Sequence, residues 1–193
     1  RNNEQGIDRA AALEMIKALL DRGANPNART KEIPPLRRWV TPLGDLTWIN
    51  MTGMTPFIRA AQSGDTTTMR LLLAKGADPK ITTLTGVTPL MVAIDNFAFD
   101  TAKLLFERGA NPHLWDWWGR TALYTAIDMN TYSLDAYEER TGPPIVTTKT
   151  TALELARLFL DAGVNPNTQL NMHRPGRGGN SGRYADEIIT TGA

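Results

Sequence analysis

Two histidines, His113 and His173, are the first place to look for acid–base or metal chemistry in this 193-residue chain. Neither has a Ser or Asp at a spacing that suggests a nucleophilic triad, and the two form no His-x-x-x-His pair. Cysteine is absent, which removes thiolate nucleophiles, disulfides and thiolate metal sites. The stretch RPGRGGNSGR at 174–183 is glycine-rich, but it follows no strand pattern and opens no helix, so it reads as a loop rather than a phosphate cradle. Asp95 and Asp128 recur at one position of a repeated unit. Paired acids can do general acid–base work, but solvated polar positions on a helix surface are the simpler reading. No catalytic residue, metal site or cofactor is expected, and the chain reads as a non-enzyme.

Binding chemistry has better candidates. All five tryptophans, Trp39, Trp48, Trp115, Trp117 and Trp118, fall between helical stretches and none within one. A tryptophan offers a large rigid apolar area with one donor, which is why it is enriched at interface hot spots. The alternative is that these rings pack against neighbouring insertions. Cations stand beside the first pair, with Arg29, Lys31, Arg37 and Arg38 in one long loop and Arg174, Arg177 and Arg183 in another. Such a rim would steer an acidic partner. Interleaved Trp and Arg also suit single-stranded nucleic acid, but 21 basic against 20 acidic residues gives a net charge of only +1, which argues against it. No run reaches the roughly 18–20 apolar residues of a membrane-spanning helix, so membrane insertion is not expected.

These candidates hang on a repeated frame. Gly23-Ala24-Asn25-Pro26 recurs as Gly76-Ala77-Asp78-Pro79, Gly109-Ala110-Asn111-Pro112 and Gly163-Val164-Asn165-Pro166. Before each Gly stand two adjacent apolar residues, Leu19/Leu20, Leu72/Leu73, Leu105/Phe106 and Phe159/Leu160, with Ile16, Met69, Ala102 and Ala156 three residues earlier. Offsets of three and four place all three on one helix face. The Gly is expected to end the helix in the left-handed conformation, and the Pro keeps it from resuming. Thr55-Pro56-Phe57, Thr88-Pro89-Leu90 and Thr121-Ala122-Leu123 mark the start of the other helix. There the Thr hydroxyl caps, and Pro fits the first turn. Small residues follow at Ala60/Ala61, Ala93/Ile94 and Ala126/Ile127, where neighbouring helices can approach, and Gly53, Gly86 and Gly119 mark tight turns.

Gly76 and Gly109 are 33 positions apart. A 33-residue period with a turn, a Thr-Pro-Leu helix start and a Gly-Ala ending resembles the ankyrin repeat. The resemblance covers about two-thirds of the chain, the rest lying in insertions. It implies an all-α solenoid of antiparallel helix pairs with β-hairpin-like fingers, and a scaffold that binds another protein through finger tips and a concave face. On that reading Trp115, Trp117 and Trp118 occupy a finger tip at positions the family leaves variable and uses for contact, while Asp116 is its usual turn residue. Arg59, Gln62, Val92, Asp95, Asn96, Thr125 and Asp128 would form the groove floor. The family's usual His after Thr-Pro-Leu, which ties neighbouring units by hydrogen bonds, is replaced here by Ile58, Met91 and Tyr124. Two rival readings are a carbohydrate or small-ligand module using Trp faces, and a structural subunit docking within a larger complex.

The spacing divides the chain into a half repeat at 1–27, a finger insertion at 28–52, and repeats at 53–85, 86–118 and 119–167. The last of these carries a second insertion near 135–150, and 168–193 forms a further finger insertion. ALEMIKALLDRGANPN (12–27) parallels ALELARLFLDAGVNPN (152–167), and the Thr52-Gly53 and Thr191-Gly192 pairs close the loops that follow, at offsets of 140 and 139. The expectation is a super-repeat of three units cut from a longer array, with residues 1–10 as the tail of an insertion. Long-insert arrays of this kind resemble those of environmental bacteria. Cytoplasm and bacterial periplasm or export are both compatible with the sequence.

Overall fold

The computed structural model describes residues 8–31, 52–130 and 148–170, and the rest lie outside the description that follows. Seven helices appear there: α1 (Arg9–Asp21), α2 (Pro56–Gln62), α3 (Thr66–Ala74), α4 (Pro89–Asp95), α5 (Phe99–Glu107), α6 (Ala122–Asn130) and α7 (Ala152–Asp161). No strand is present among the described residues, only an isolated antiparallel bridge between Trp115 and Thr121.

Local chemistry sets each boundary. The Thr55, Thr88 and Thr121 hydroxyls accept from the amides of Ile58, Met91 and Tyr124 at 3.3, 3.1 and 3.2 Å, and so start α2, α4 and α6. Asp8 and Asp65 cap α1 and α3 in the same way. Helix α7 has a full capping box, with Thr151 and Glu154 each bonding the other's backbone amide. Helices α1, α3, α5 and α7 end alike. Gly23, Gly76, Gly109 and Gly163 take φ values of +82 to +89°, and the next residue's amide reaches back to Leu19, Leu72, Leu105 and Phe159 at 2.9–3.0 Å. Both the left-handed residue and the wrapped bond belong to the Schellman ending.

Packing follows the repeat. The inner helices α2, α4 and α6 lie side by side, α3 packs on α2, α5 on α4, and α7 on both α6 and α5. One core joins them, built on Phe57, Leu72, Leu90, Ile94, Leu123, Leu155 and Phe159, with Ala60, Ala61, Ala93 and Ala126 at the close approaches. Ile127, expected among the packing residues, is instead 47% exposed; α6 is the last inner helix among the described residues. Phe97 holds φ +58° at the α4–α5 turn, where the α2–α3 turn has Gly64. Its ring is buried edge-on to Phe99 at 5.8 Å, which offsets the backbone strain.

Helix α1 buries none of its residues, though Leu20 leans on the core. It begins at Arg9, inside the stretch expected as insertion. The Asn27 side chain ties this segment to the next unit, donating to the Gly76 carbonyl at 3.0 Å and accepting from the Asp78 amide at 2.8 Å. An exposed Lys75–Asp21 ion pair spans the same junction. Ahead of α7, the Lys149 and Thr150 amides donate to the Asp100 carboxylate on α5 at 3.0 and 2.8 Å.

Candidate functional site

Among the described residues three turns link successive helix pairs, and one hydrogen-bond pattern builds them. The turn residue, Thr30, Thr83 or Asp116, donates its amide to the carbonyl of Met54, Val87 or Arg120 at 3.0 Å. Its side-chain oxygen accepts the amide of that same residue, at 3.1, 3.0 and 2.9 Å. Its carbonyl accepts from Gly53, Gly86 or Gly119 at 2.8–3.1 Å. A hydroxyl and a carboxylate therefore serve the same purpose, since either presents an acceptor at the right reach. Thr52 stands in the first of these turns directly before Gly53, as Thr85 and Trp118 stand before Gly86 and Gly119 in the next two.

Adjacent fingers are joined at their tips. The Leu84 amide donates to the Thr52 carbonyl at 2.9 Å, and the Trp117 amide donates to the Thr85 carbonyl at 2.8 Å. Gly86 sits so close to the next finger that a Cβ there would lie 3.3 Å from the Asp116 Cα and the Trp115 carbonyl oxygen. Backbone bonds thus hold the tips while their side chains face outward. Leu84 is 67% exposed, Trp115 62% and Trp117 54%. That is a pre-ordered apolar surface, for which binding costs little further backbone ordering.

Trp118 is a correction. It was expected at the contact surface, but it is buried among Met54, Ile58, Val87, Met91 and Val92, a second apolar cluster beneath the fingers. Ile58 and Met91, standing where the resemblance leads one to expect His, join this cluster, so apolar packing and the tip bonds link the units here. The ring closes a surface that its neighbours leave apolar, and burial is its favourable state.

Asp95 is the second correction. Expected as a solvated groove residue, it is buried beside Arg120, which also was not singled out from the sequence. The Arg120 Nη1 donates to both Asp95 carboxylate oxygens at 3.2 Å, and its Nε donates to Asp116 at 2.7 Å. Asp116 also accepts the amides of Trp118 and Arg120. Two buried carboxyls share one guanidinium. Burial pushes the Asp95 carboxyl up to about 6, against the pull of Arg120. Of its two contacts, Arg120 holds Asp95 by the longer bonds.

Other expected groove residues are divided between surface and core. Val92 and Thr125 are buried, so they do not line a floor. Arg59 is exposed and bonded to the half-buried Gln62; Asn96 is half-buried and donates to the Val92 carbonyl at 2.8 Å; Asp128 is half-buried. Arg37, Arg38, Trp39 and Trp48 lie outside the described residues, as does His173. Exposed Leu84, missed from the sequence, occupies the position equivalent to Trp117 one period earlier. Among the described residues no group of three or more His, Asp or Glu is placed to hold a metal ion, and no helix is long and apolar enough to cross a membrane.

Comparison with protein-family models gives a match to the family described as ankyrin repeats (3 copies), over residues 9–116 and 57–137. A search of curated proteins gives no significant match.

Proposed function

This chain belongs to the ankyrin repeat family, whose repeats generally mediate protein–protein interaction, and on that premise we propose that it is a non-catalytic recognition scaffold engaging a protein partner at its finger tips. The observation that supports this reading most is the exposed row of Leu84, Trp117 and Trp115 on fingers tied to one another by backbone hydrogen bonds. Large rigid side chains that are already positioned lose little entropy on binding, and Trp is the type most often found to dominate interface energetics. Arg59, Gln62, Asn96 and Asp128 would supply the polar rim. Trp39, Trp48, Arg37 and Arg38, outside the described residues, would add aromatic and cationic contacts to the same partner.

The test is capture of partners from the native source with the full-length chain, comparing wild type with Trp115→Ala/Trp117→Ala. The proposal expects the double variant to lose the captured protein while its helical circular dichroism and Tm stay within error. Unchanged capture would overturn it. Exposed indole faces also favour a second reading, stacking on sugar rings. Quenching of Trp fluorescence by oligosaccharides that is lost in the same double variant would shift the assignment to a glycan.

A further inference from the structure

The seam between outer helices α3 and α5, together with the first turn of α4, holds a cavity of about 520 Å³. Phe57, Met69, Leu90 and Leu105 form its floor, with the exposed Leu73 and Leu114 at its mouth. The next seam, between α5 and α7, explains why the cavity exists. There Phe106 stands at the repeat position of Leu73, and Phe159 at that of Leu105. The two rings meet edge to face at 5.3 Å, filling with aromatic volume the space that two leucines leave open one unit earlier. Every charged residue lining the cavity is a cation, namely Arg70, Lys80 and Arg108. All three are exposed, and none is in an ion pair among the described residues.

We propose that this seam is a second docking site, for an acidic peptide segment that inserts one bulky apolar side chain where the α5–α7 seam carries its own phenylalanine. The volume falls in the range of pockets that take specific ligands. The apolar floor gains from burying an aromatic or branched side chain. The three cations are complementary to flanking carboxylates, giving register and on-rate to an anchor that is otherwise unspecific. None of Trp115, Trp117 and Leu84 lines this cavity, so the site is separate from the tip surface.

The probe is a fluorescein-labelled peptide, Glu-Asp-Phe-Leu-Asp-Glu, titrated with the full chain and read by fluorescence polarisation. The proposal expects saturable binding that weakens at higher salt and falls at least about tenfold when Phe-Leu becomes Ala-Ala in the probe. Leu73→Phe, which rebuilds the filled seam, should weaken binding by a similar factor while Tm holds or rises. Arg70→Glu/Arg108→Glu should weaken it at least as much, with Trp115→Ala/Trp117→Ala leaving it unchanged. No saturable binding, or full affinity in Leu73→Phe, would overturn the proposal. So would equal binding of a probe with Gln and Asn in place of its acids, or octanoate occupying the cavity while the acidic probe does not.

Discussion

Two consecutive fingers share a backbone and differ in almost everything that hangs from it. The finger centred on Thr83 closes its turn with a hydroxyl, carries Leu84 at the tip and places Val87 in an apolar cluster. One period later Asp116, Trp117 and Arg120 stand at the same three positions, and the turn is closed by a buried carboxylate that shares its cation with Asp95. The hydrogen bonds of the two turns agree to within about 0.3 Å, including the tip bonds at 2.9 and 2.8 Å. The backbone pattern therefore fixes the finger, and the turn position asks only for an acceptor. What the third finger adds is an ionic network and an aromatic tip, neither of which the frame requires.

The strongest way to break this comparison is to give the third finger only part of the second finger's chemistry. Arg120→Val leaves Asp95 and Asp116 buried without their guanidinium, and should cost about 3–5 kcal/mol in denaturant unfolding at pH 7. Adding Asp116→Thr and Asp95→Asn to that variant should recover most of the loss, since the neutral turn already works one period earlier. If the triple variant is no more stable than Arg120→Val alone, the two fingers are not interchangeable. Trp118→Ala comes next, at about 3 kcal/mol, by opening a void beside Met91 and Val92. A Tm unchanged in that variant would contradict its burial.

The ionic network also predicts a pH dependence. Asp95 has a folded pKa of about 6 against an ordinary value of 3.8, so the folded state binds this proton more tightly than the unfolded chain. Its contribution is fully present below pH about 4 and is lost as the pH rises through 6. Asp95→Asn lacks this term. The stability of the Asn variant relative to wild type should therefore climb between pH 4 and 7, by on the order of 2 kcal/mol. A difference flat across that window would place the titration elsewhere. The smallest effect concerns the finger junction. Gly76→Ala meets no atom within 4 Å and carries only the strain of its positive φ, about 1 kcal/mol, whereas Gly86→Ala must also displace the next finger's backbone. Gly86→Ala should be the worse of the two by chemical denaturation, and equal losses would mean that the fingers are not in contact.

The helical frame was legible because it rests on local rules that repeat. A Thr cap, a Pro in the first turn and a Gly ending act within five residues, and each copy reinforces the others. Trp118 was misplaced for a complementary reason. Its turn position gives no hint of burial, and only the apolar identities of Met54, Val87 and Met91, spread over two repeats, create the surface that the ring covers. Asp95 and Arg120 are 25 residues apart and meet only through the stacking of units. A signal was present all the same: Arg120 is a cation at the position of Met54 and Val87, and Asp116 an acid at that of Thr30 and Thr83. Leu84 was overlooked because a single leucine in a turn is unremarkable until it is aligned with Trp117. The α3–α5 cavity is visible only by contrast with Phe106 and Phe159 one seam later.

The claim that the finger tips carry recognition is tested most directly by site-specific photo-cross-linking in the native source. A benzophenone side chain would replace Leu84, Trp117 or, as control, Leu153, which is exposed on outer helix α7. The account predicts adducts with one and the same protein from positions 84 and 117, and none with that protein from 153. Adducts formed equally at all three, or from 153 alone, would contradict it.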